Sequence, residues 1–110
     1  MSDYTVVVAP VAADKIRQYG CYIAEQSCSV GTAKRWVDSV YDAIATLEIF
    51  PRRFGLAEED AHSDYEIRVL IFGNYLVLYT IDDVRKIVKV VGFRHGSRLP
   101  RPDELPRDAS

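Results

Sequence analysis

The segment that most constrains the fold is residues 65–98, YEIRVLIFGNYLVLYTIDDVRKIVKVVGFRHGSR. It contains three short runs rich in β-branched and aromatic residues, a composition typical of strands. The runs are residues 65–72, 75–81 and 86–93. Gly73-Asn74 separates the first two runs, and Gly73 can adopt the positive φ that the first central position of a type II′ turn requires. The pattern therefore predicts three consecutive strands, the first two of them joined as a tight antiparallel hairpin.

Both faces of these strands are largely apolar, so the sheet needs a cover on at least one face. Arg68 interrupts the apolar pattern of the first run, and the last run ends in Arg94, His95 and Arg98. We therefore expect positive charge to gather at one end and on one face of the sheet.

The N-terminal half predicts one strand and two helices. Residues 4–9 are β-branched and end at Pro10, which predicts a short edge strand and the start of a helix. Apolar residues recur at three- and four-residue steps over residues 11–28 and again over residues 33–47, the spacing of amphipathic helices. Pro51 cannot continue the second helix and disfavours helical geometry at the residue before it, so this helix ends near Phe50.

The resulting order is β-α-α-β-β-β, which predicts an α+β fold: an antiparallel helical hairpin packed on a mainly antiparallel four-stranded sheet. Residues 51–64 are polar and acidic, and we expect a loop there whose acids, residues 58–60, are solvated. Residues 1–99 form the single predicted domain. Residues 100–110 contain three of the five prolines and predict an extended tail.

Composition excludes several classes of protein. No apolar run approaches the roughly 20 residues of a transmembrane helix, and the first residues lack the basic region of a signal peptide, so we expect a cytoplasmic protein without a membrane partner. Cys21 and Cys28 are seven residues apart on one predicted helix, about 10 Å along its axis, which is too far for a disulfide. Neither cysteine has metal-ligand spacing. We expect no metal and no cofactor.

The order of these motifs resembles the RelE/ParE superfamily of type II toxins over residues 4–99. The resemblance lies in a first strand ending near proline, the Leu-x-x-Phe-Pro end of the second helix, the strand arginine, the Tyr-rich strand ending in Ile-Asp, and the closing His-Gly-x-Arg. These residues are Leu47, Phe50, Pro51, Arg68, Tyr75 to Asp82, His95, Gly96 and Arg98. The resemblance implies a toxin held inactive in a hetero-oligomer with a cognate antitoxin, whose extended segment lies across the helices and sheet.

The superfamily divides into two activities. RelE-like members cleave mRNA on the ribosome, and such a reaction needs cations near the scissile phosphate and a group that moves a proton. On this alternative, Arg68, Arg94 and His95 are the catalytic candidates. The chain departs from that pattern after Arg98, where no Tyr or His completes the site, and before the second strand, where acidic residues stand in place of a basic run.

ParE-like members resemble this chain more closely, in the long helical hairpin and the His-Gly-x-Arg ending. They act on DNA gyrase and have no hydrolytic site of their own. For this activity Arg98 and Arg101 are the candidate target-binding residues. A third alternative is a non-toxic interaction module of the same fold.

Structural roles compete with these functional ones. Arg68 is equally well explained by an ion pair with a neighbouring acid, its stem packed along apolar neighbours. Tyr75 and Tyr79 lie on the same side of their strand, and core packing is the first expectation for both, with antitoxin contact second. His95 becomes a functional candidate through the family resemblance, because an imidazole can transfer a proton near neutral pH.

Overall fold

The computed structural model describes residues 3–97, apart from the side chain of residue 62. Arg98, Arg101 and the proposed tail at residues 100–110 lie outside the described residues, as does the domain boundary before that tail. Within the described range there are four strands, two α-helices and three short 3-10 helices. The strands and α-helices are β1 (Thr5–Val8), α1 (Pro10–Ser27), α2 (Val30–Ala45), β2 (Arg68–Phe72), β3 (Tyr75–Asp82) and β4 (Ile87–His95). The 3-10 helices are Thr46–Glu48, Pro51–Arg53 and Glu58–His62.

The first helix lies where the sequence predicted, and the second ends at Ala45, five residues before the predicted end near Phe50, where the 3-10 helix Thr46–Glu48 continues the chain. Pro10 occupies the first turn of α1, where its missing N–H costs nothing. Cys28 ends α1 in the left-handed conformation (φ 54°), and Ser29 caps α2, its Oγ accepting a hydrogen bond from the Thr32 N–H at 3.1 Å. No helix among residues 3–97 is both long and apolar enough to cross a lipid bilayer.

The sheet has the strand order β1-β4-β3-β2. β2, β3 and β4 form the predicted antiparallel meander, and Gly73 takes the positive φ (58°) expected in the two-residue turn between β2 and β3. β1 is an edge strand, as predicted, and pairs with β4 in parallel. The α+β fold with a mainly antiparallel sheet is therefore confirmed.

The main core lies between the helical hairpin and one face of the sheet. Val40 and Ile44 from α2 and Leu47 from the 3-10 helix after it belong to the same core cluster as Val77 and Val90 from the sheet. The opposite face, called the back face below, is covered by a smaller cluster in which Ala57 and Ile67 pack on Leu78 and Val91. Each face is thus covered in part, one by the helices and one by the chain that leads into β2, while Ile71 in β2 stays 68% exposed.

A β-bulge in β4 changes which residues face the helices. Leu78 pairs with Gly92 while Tyr79 pairs with Val90, so Val91 is an extra residue in β4. Before the bulge, Val90 faces the helices; after it, Phe93 does. Strict alternation along β4 would have assigned the residues after the bulge to the wrong faces.

The prediction of a solvated acidic loop at residues 58–60 is wrong. These residues belong to the 3-10 helix Glu58–His62, and Glu59 is only 1% exposed. A side-chain oxygen of Asp60 accepts a hydrogen bond from the Ile67 N–H at 2.9 Å. The segment folds against the back face, where Glu59 has a cationic partner; Asp60 is half-buried and Glu58 is exposed.

Candidate functional site

The predicted basic cluster is not assembled on one face. Arg94 and His95 are neighbours in β4, and successive side chains of a strand point to opposite faces. His95 pairs with Tyr75 and contacts its ring on the helix side, whereas Arg94 pairs with Leu76 and reaches Glu59 on the back face. The expectation that these charges share a face of the sheet is therefore wrong.

Arg94 is committed to an ion pair inside the fold. Its Nε donates to Glu59 Oε2 at 2.7 Å and its Nη2 to Glu59 Oε1 at 3.4 Å, so the carboxylate is held by both prongs of the guanidinium. The side chain of Arg94 is 11% exposed and that of Glu59 is 1% exposed. Glu58 approaches Arg94 Nη2 at 3.9 Å from the solvent side. In this conformation, Arg94 neutralises protein carboxylates.

Arg68 also serves the fold. Its Nε donates to Glu66 Oε1 at 2.8 Å, and its Nη1 donates to the carbonyl oxygen of Phe54 at 2.6 Å and to that of Arg52 at 3.3 Å. The arginine thereby ties the start of β2 to the chain that leaves α2. This geometry corresponds to the structural alternative considered for this residue.

Arg68 and His95 lie far apart along the sheet. Arg68 pairs with Tyr79 and His95 with Tyr75, four residues apart in β3, which is about 13 Å along the strand direction alone, and the two residues lie on opposite sides of β3. The structure therefore brings none of the three nuclease candidates together with another, and their catalytic roles remain predictions.

Tyr79 and Tyr75 have different environments. Tyr79 is fully buried in the main core, and its hydroxyl donates to the carbonyl oxygen of Pro51. Burial raises its pKa to about 12. It therefore packs the core, and no part of it is exposed for an antitoxin to contact. Tyr75 is half-buried, and burial together with the nearby phenols Tyr19 and Tyr22 raises its pKa.

Tyr75 and His95 line a cleft of about 480 Å³ between α1 and the ends of β3 and β4. We call it the tyrosine cleft. Its lining consists of Lys15, Gln18, Tyr19, Tyr22, Tyr75, His95 and Ser97. The volume lies in the range of ligand-binding pockets.

Sequence reasoning identified two of these residues and missed those on α1. Lys15, Tyr19 and Tyr22 recur at four- and three-residue steps, so they share one face of a helix. That spacing is a usable signal, but Tyr19 also fits the apolar stripe predicted over residues 11–28, which explains it without a cleft. The missing information was that this face of α1 lies against the end of β4.

The aromatic floor of the tyrosine cleft is closely packed. The ring of Tyr75 stacks on Phe93 with centroids 5.4 Å apart, and meets the edges of Tyr19 and Trp36 at 5.1 Å each. The amide N–H of His95 donates to the Tyr19 hydroxyl at 3.2 Å. These contacts fix the position of the imidazole relative to α1.

The imidazole of His95 is oriented by its own turn. Its Nδ1 accepts a hydrogen bond from the Ser97 N–H at 3.1 Å, with the Ser97 hydroxyl 2.7 Å away. An Nδ1 that accepts leaves the proton of the neutral ring on Nε2. The cleft therefore holds an imidazole in a defined tautomer, able to donate a hydrogen bond.

A second charged cluster lies at the opposite end of the sheet. Asp83 accepts hydrogen bonds from Arg52 Nη1 and Nη2 at 2.7 and 2.6 Å and from the Tyr4 hydroxyl at 2.9 Å. The Arg52 guanidinium, followed by the Tyr4 hydroxyl, lowers the pKa of Asp83 to about 2. This exposed cluster joins the turn after β3 to the chain after α2, and it balances its own charge.

The described part of the chain contains no cluster of side chains suited to bind a metal ion. Within residues 3–97, no group of three or more His, Cys, Asp or Glu side chains is arranged to hold a metal ion. The two cysteines, both on the exposed surface of the hairpin, are free thiols.

Comparison with solved structures supports the fold. Among the nine matching chains is one from the crystal structure of an archaeal RelE–RelB complex from Pyrococcus horikoshii OT3. It has a TM-score of 0.52 and 17% sequence identity, and the alignment covers 88% of this chain and 99% of that one. At this identity the likeness concerns the fold alone. No curated protein sequence matches the chain.

A family model settles the classification that the fold leaves open. The model describes the ParE toxin of the type II toxin–antitoxin system parDE, and it matches residues 6–100, nearly the whole chain. The RelE/ParE resemblance inferred from the motifs is thereby confirmed. The chain belongs to the ParE toxin family of type II toxin–antitoxin systems, within the RelE/ParE superfamily.

Proposed function

We propose that this chain is a cytoplasmic toxin that inhibits DNA gyrase and is neutralised by its cognate antitoxin in a hetero-oligomer. The proposal follows the ParE-like features of the sequence and the family match over residues 6–100. On this proposal the toxin acts by binding its target and needs no cofactor and no hydrolytic site.

One observation favours gyrase over mRNA as the target. The two arginines proposed for a nuclease site lie apart from each other, and each is bonded to other groups of the protein. Arg94 lies on the back face against Glu59, and Arg68 is bonded to Glu66 and to backbone carbonyls. A nuclease must hold its cations and its proton-transfer group within a few ångströms of one phosphate. Because the described residues offer no such assembly, a binding mechanism is favoured.

The decisive experiment compares both targets in parallel. The toxin, separated from its antitoxin, is added to purified gyrase with relaxed plasmid and, separately, to ribosomes programmed with mRNA. We expect loss of supercoiling that added antitoxin restores, and intact mRNA. Cleaved mRNA together with normal supercoiling would refute the gyrase proposal.

The candidate contact residues for gyrase are Arg98 and Arg101. We expect the double variant Arg98→Ala/Arg101→Ala to inhibit gyrase at least about tenfold less strongly, the effect of truncating central contact residues at an interface. The matched control is Arg17→Ala/Arg35→Ala, which removes the same charge from the exposed surface of the helices. An equal loss in the control would mean that net charge matters and these positions do not.

The mRNA endonuclease remains a second candidate because of one feature. His95 and Lys15 line the same cleft, so an imidazole and an ammonium lie near each other even though the two arginines are elsewhere. If ribosome-dependent cleavage occurs, His95→Ala should abolish it while Arg68→Ala acts only through stability. A cleavage activity that survives His95→Ala would remove His95 from the site.

A further inference from the structure

We propose that the outer edge of β1 pairs with the same edge of a second copy of this chain, so that two toxins share one continuous sheet with four strands from each. This contact belongs to the toxin without its antitoxin, and it uses a surface that the gyrase proposal does not need. Three features of the molecule support it: the hydrogen-bonding groups of the two sheet edges, the residues at the ends of β1, and the charges beside them.

The edge of the sheet at β2 is already paired over its first half. Residues 55–57 run along it, and the Ala57 N–H donates to the Ile67 carbonyl oxygen at 2.8 Å. The Val69 N–H donates to the Gly55 carbonyl oxygen at 3.0 Å. Backbone groups that are paired in this way cannot accept a further strand. The edge at β2 is therefore largely protected.

The edge at β1 is open. The N–H groups of Thr5 and Ala9 donate to carbonyl oxygens on the β4 side at 2.8 Å each, so alternate residues of β1 are bonded to that strand. The N–H and C=O groups of Val6 and Val8 point the other way, and no strand or loop of the described chain pairs with them. β1 contains no charged residue and no proline, the residues that commonly keep an edge from pairing.

One antiparallel register lets β1 pair with itself about a two-fold axis. When Val7 faces the second copy's Val7, Val6 of each copy lies opposite Val8 of the other. Each of these two outer pairs exchanges both of its backbone hydrogen bonds, which gives four bonds in all. Val7 is 43% exposed on the back face, and the central pair brings its side chain against its own symmetry mate.

The neighbouring registers are less favourable. An axis at Val8 would place Val6 opposite Pro10, which has no N–H to donate. An axis at Val6 would place Val8 opposite Tyr4, whose N–H already donates to the Glu48 carbonyl oxygen at 3.0 Å. Only the register centred on Val7 keeps all four hydrogen bonds.

The charges at the two ends of β1 complement each other in this register. The residues before β1 in one copy lie beside the start of α1 in the other. Asp3 and Glu48 are exposed there and adjacent, since the Asp3 N–H donates to the Glu48 carbonyl oxygen at 3.0 Å. The start of α1 is the positive end of an 18-residue helix, with no acidic residue in its first turn and no side-chain cap from Ala9. Each copy thus offers carboxylates to the helix of the other.

The association should stop at two copies. The two-fold pairing uses the open edge of both chains, and the edge at β2 is covered over its first half. The contact is limited to β1 and the chain around it, which is small beside a standard interface. We therefore expect a dissociation constant on the order of 10 µM.

The first test is sedimentation equilibrium of the full-length toxin, separated from its antitoxin, at concentrations on both sides of that value. We expect a monomer–dimer equilibrium. Val7→Lys and Val7→Glu should each abolish the dimer, because like charges would face each other across the axis, and an equimolar mixture of the two should restore it. The matched control is Ile71→Lys, which alters a 68% exposed side chain on the other edge strand and should change the dissociation constant less than about twofold.

A second test determines the register by cross-linking. In a Cys21→Ser/Cys28→Ser background, which removes the two exposed thiols, Val7→Cys should give a disulfide-linked dimer on mild oxidation. Opposed residues of a non-hydrogen-bonded pair have Cα atoms about 4.5 Å apart, within reach of a disulfide. Thr5→Cys is the matched control on the same face of β1, since two such residues would lie about 13 Å apart and should stay unlinked.

A third test concerns the charges. Asp3→Asn should weaken the dimer about threefold or more at low salt, and the difference from the unaltered toxin should shrink as salt is added. An unchanged dissociation constant at low salt would show that the carboxylate does not face the helix, which contradicts the register.

Three other results would overturn the proposal. They are a toxin that stays monomeric at every concentration, a dimer that survives Val7→Lys, and cross-linking of Thr5→Cys as readily as of Val7→Cys. If the toxin is monomeric and Val7→Lys weakens binding of the antitoxin, the edge belongs to the antitoxin and not to a second copy. Thermal unfolding checks that each variant is folded. Because none of these measurements involves gyrase, failure of the gyrase proposal would be seen separately.

Discussion

Phe50 has a backbone conformation that is unfavourable for a residue with a Cβ atom. It adopts the left-handed region (φ 48°, ψ 57°) immediately before Pro51, and its side chain is 74% exposed. A non-glycine residue there costs about 1–2 kcal/mol. The conformation is held by Arg53, whose guanidinium donates to the carbonyl oxygens of Thr46, Ile49 and Phe50. A strained turn is thus fixed from outside by a neighbouring side chain.

This strain gives the first prediction. Asparagine tolerates the left-handed region better than other non-glycine residues, so Phe50→Asn should be more stable than Phe50→Ala by about 1 kcal/mol. Both variants remove the same exposed ring, and their difference therefore isolates the backbone. Urea unfolding measures it. Equal stabilities would show that the turn is relaxed.

Asp83 gives a prediction about pH. Its pKa is lowered from 3.8 to about 2, first by the Arg52 guanidinium and then by the Tyr4 hydroxyl. A carboxyl with a lower pKa in the folded state stabilises the fold above its unfolded pKa, and this contribution disappears as the pH falls from about 4 to about 2. We expect Asp83→Asn to unfold more easily than the parent at pH 5, with the difference vanishing near pH 2. Asp38→Asn, an exposed substitution on α2, should show no such convergence.

Single residues also mark what the sequence could and could not reveal. Adjacent residues of a strand face opposite sides, so the separation of Arg94 from His95 was predictable from their numbers alone. Which of the two would face the helices was not predictable, because the bulge at Val91 reverses the alternation. Burial of Glu59 was hidden for another reason: an acidic run normally indicates solvent, and the partner Arg94 is 35 residues away.

At the scale of elements, the helices were the most predictable part. Their apolar residues repeat at helical spacing, and Pro10 and Ser29 mark where they begin, whereas α2 ends at Ala45, before Pro51 is reached. The parallel pairing of β1 with β4 was not predictable. An apolar β-branched run indicates a strand, but it does not determine which strand pairs with it.

The contact between α1 and α2 yields the third prediction. A glycine inside a helix normally weakens it, but a Cβ at Gly20 would lie 2.9 Å from Val37 Cγ2. Val is stiff at χ1 in a helix and cannot easily turn away. We expect Gly20→Ala to destabilise the protein by about 1 kcal/mol, because crowding of 1–3 kcal/mol outweighs a helix-propensity gain of about 1 kcal/mol.

Gly31 provides the matched control on α2. A Cβ there would meet its nearest atom, on the Arg35 side chain, at 3.6 Å, an ordinary contact distance. Gly31→Ala should therefore keep the propensity gain and stabilise the protein by up to about 1 kcal/mol. If both variants were stabilised, the close approach of the helices at Gly20 would be absent in solution.

At the scale of the whole molecule, residues 3–97 form three layers: the helical hairpin, the sheet, and the chain of residues 55–66 on the back face. The first two layers followed from the sequence, because two apolar periodicities must cover each other. The third did not, since polar and acidic residues dominate it. It is held by the small cluster around Ile67 and by the ion pair of Glu59 with Arg94. This ion pair engages Arg94, which is one of the cations proposed for a nuclease site. The packing of the back face therefore bears on the choice between the two functions.

The final prediction tests how firmly this third layer is attached. Glu59→Gln removes the charge that Arg94 faces in a nearly water-free position, and breaking a buried pair from one side costs about 3 kcal/mol. Glu58→Gln removes a carboxylate of the same 3-10 helix that is 76% exposed and 3.9 Å from the same guanidinium, and should cost less than about 0.5 kcal/mol. Urea unfolding measures both, and hydrogen exchange at the Ile67 amide reports whether the segment opens locally before the sheet does. Because the two variants have the same net charge, equal destabilisation would mean that the back-face layer is held by its apolar contacts, and Arg94 would again be available to a phosphate.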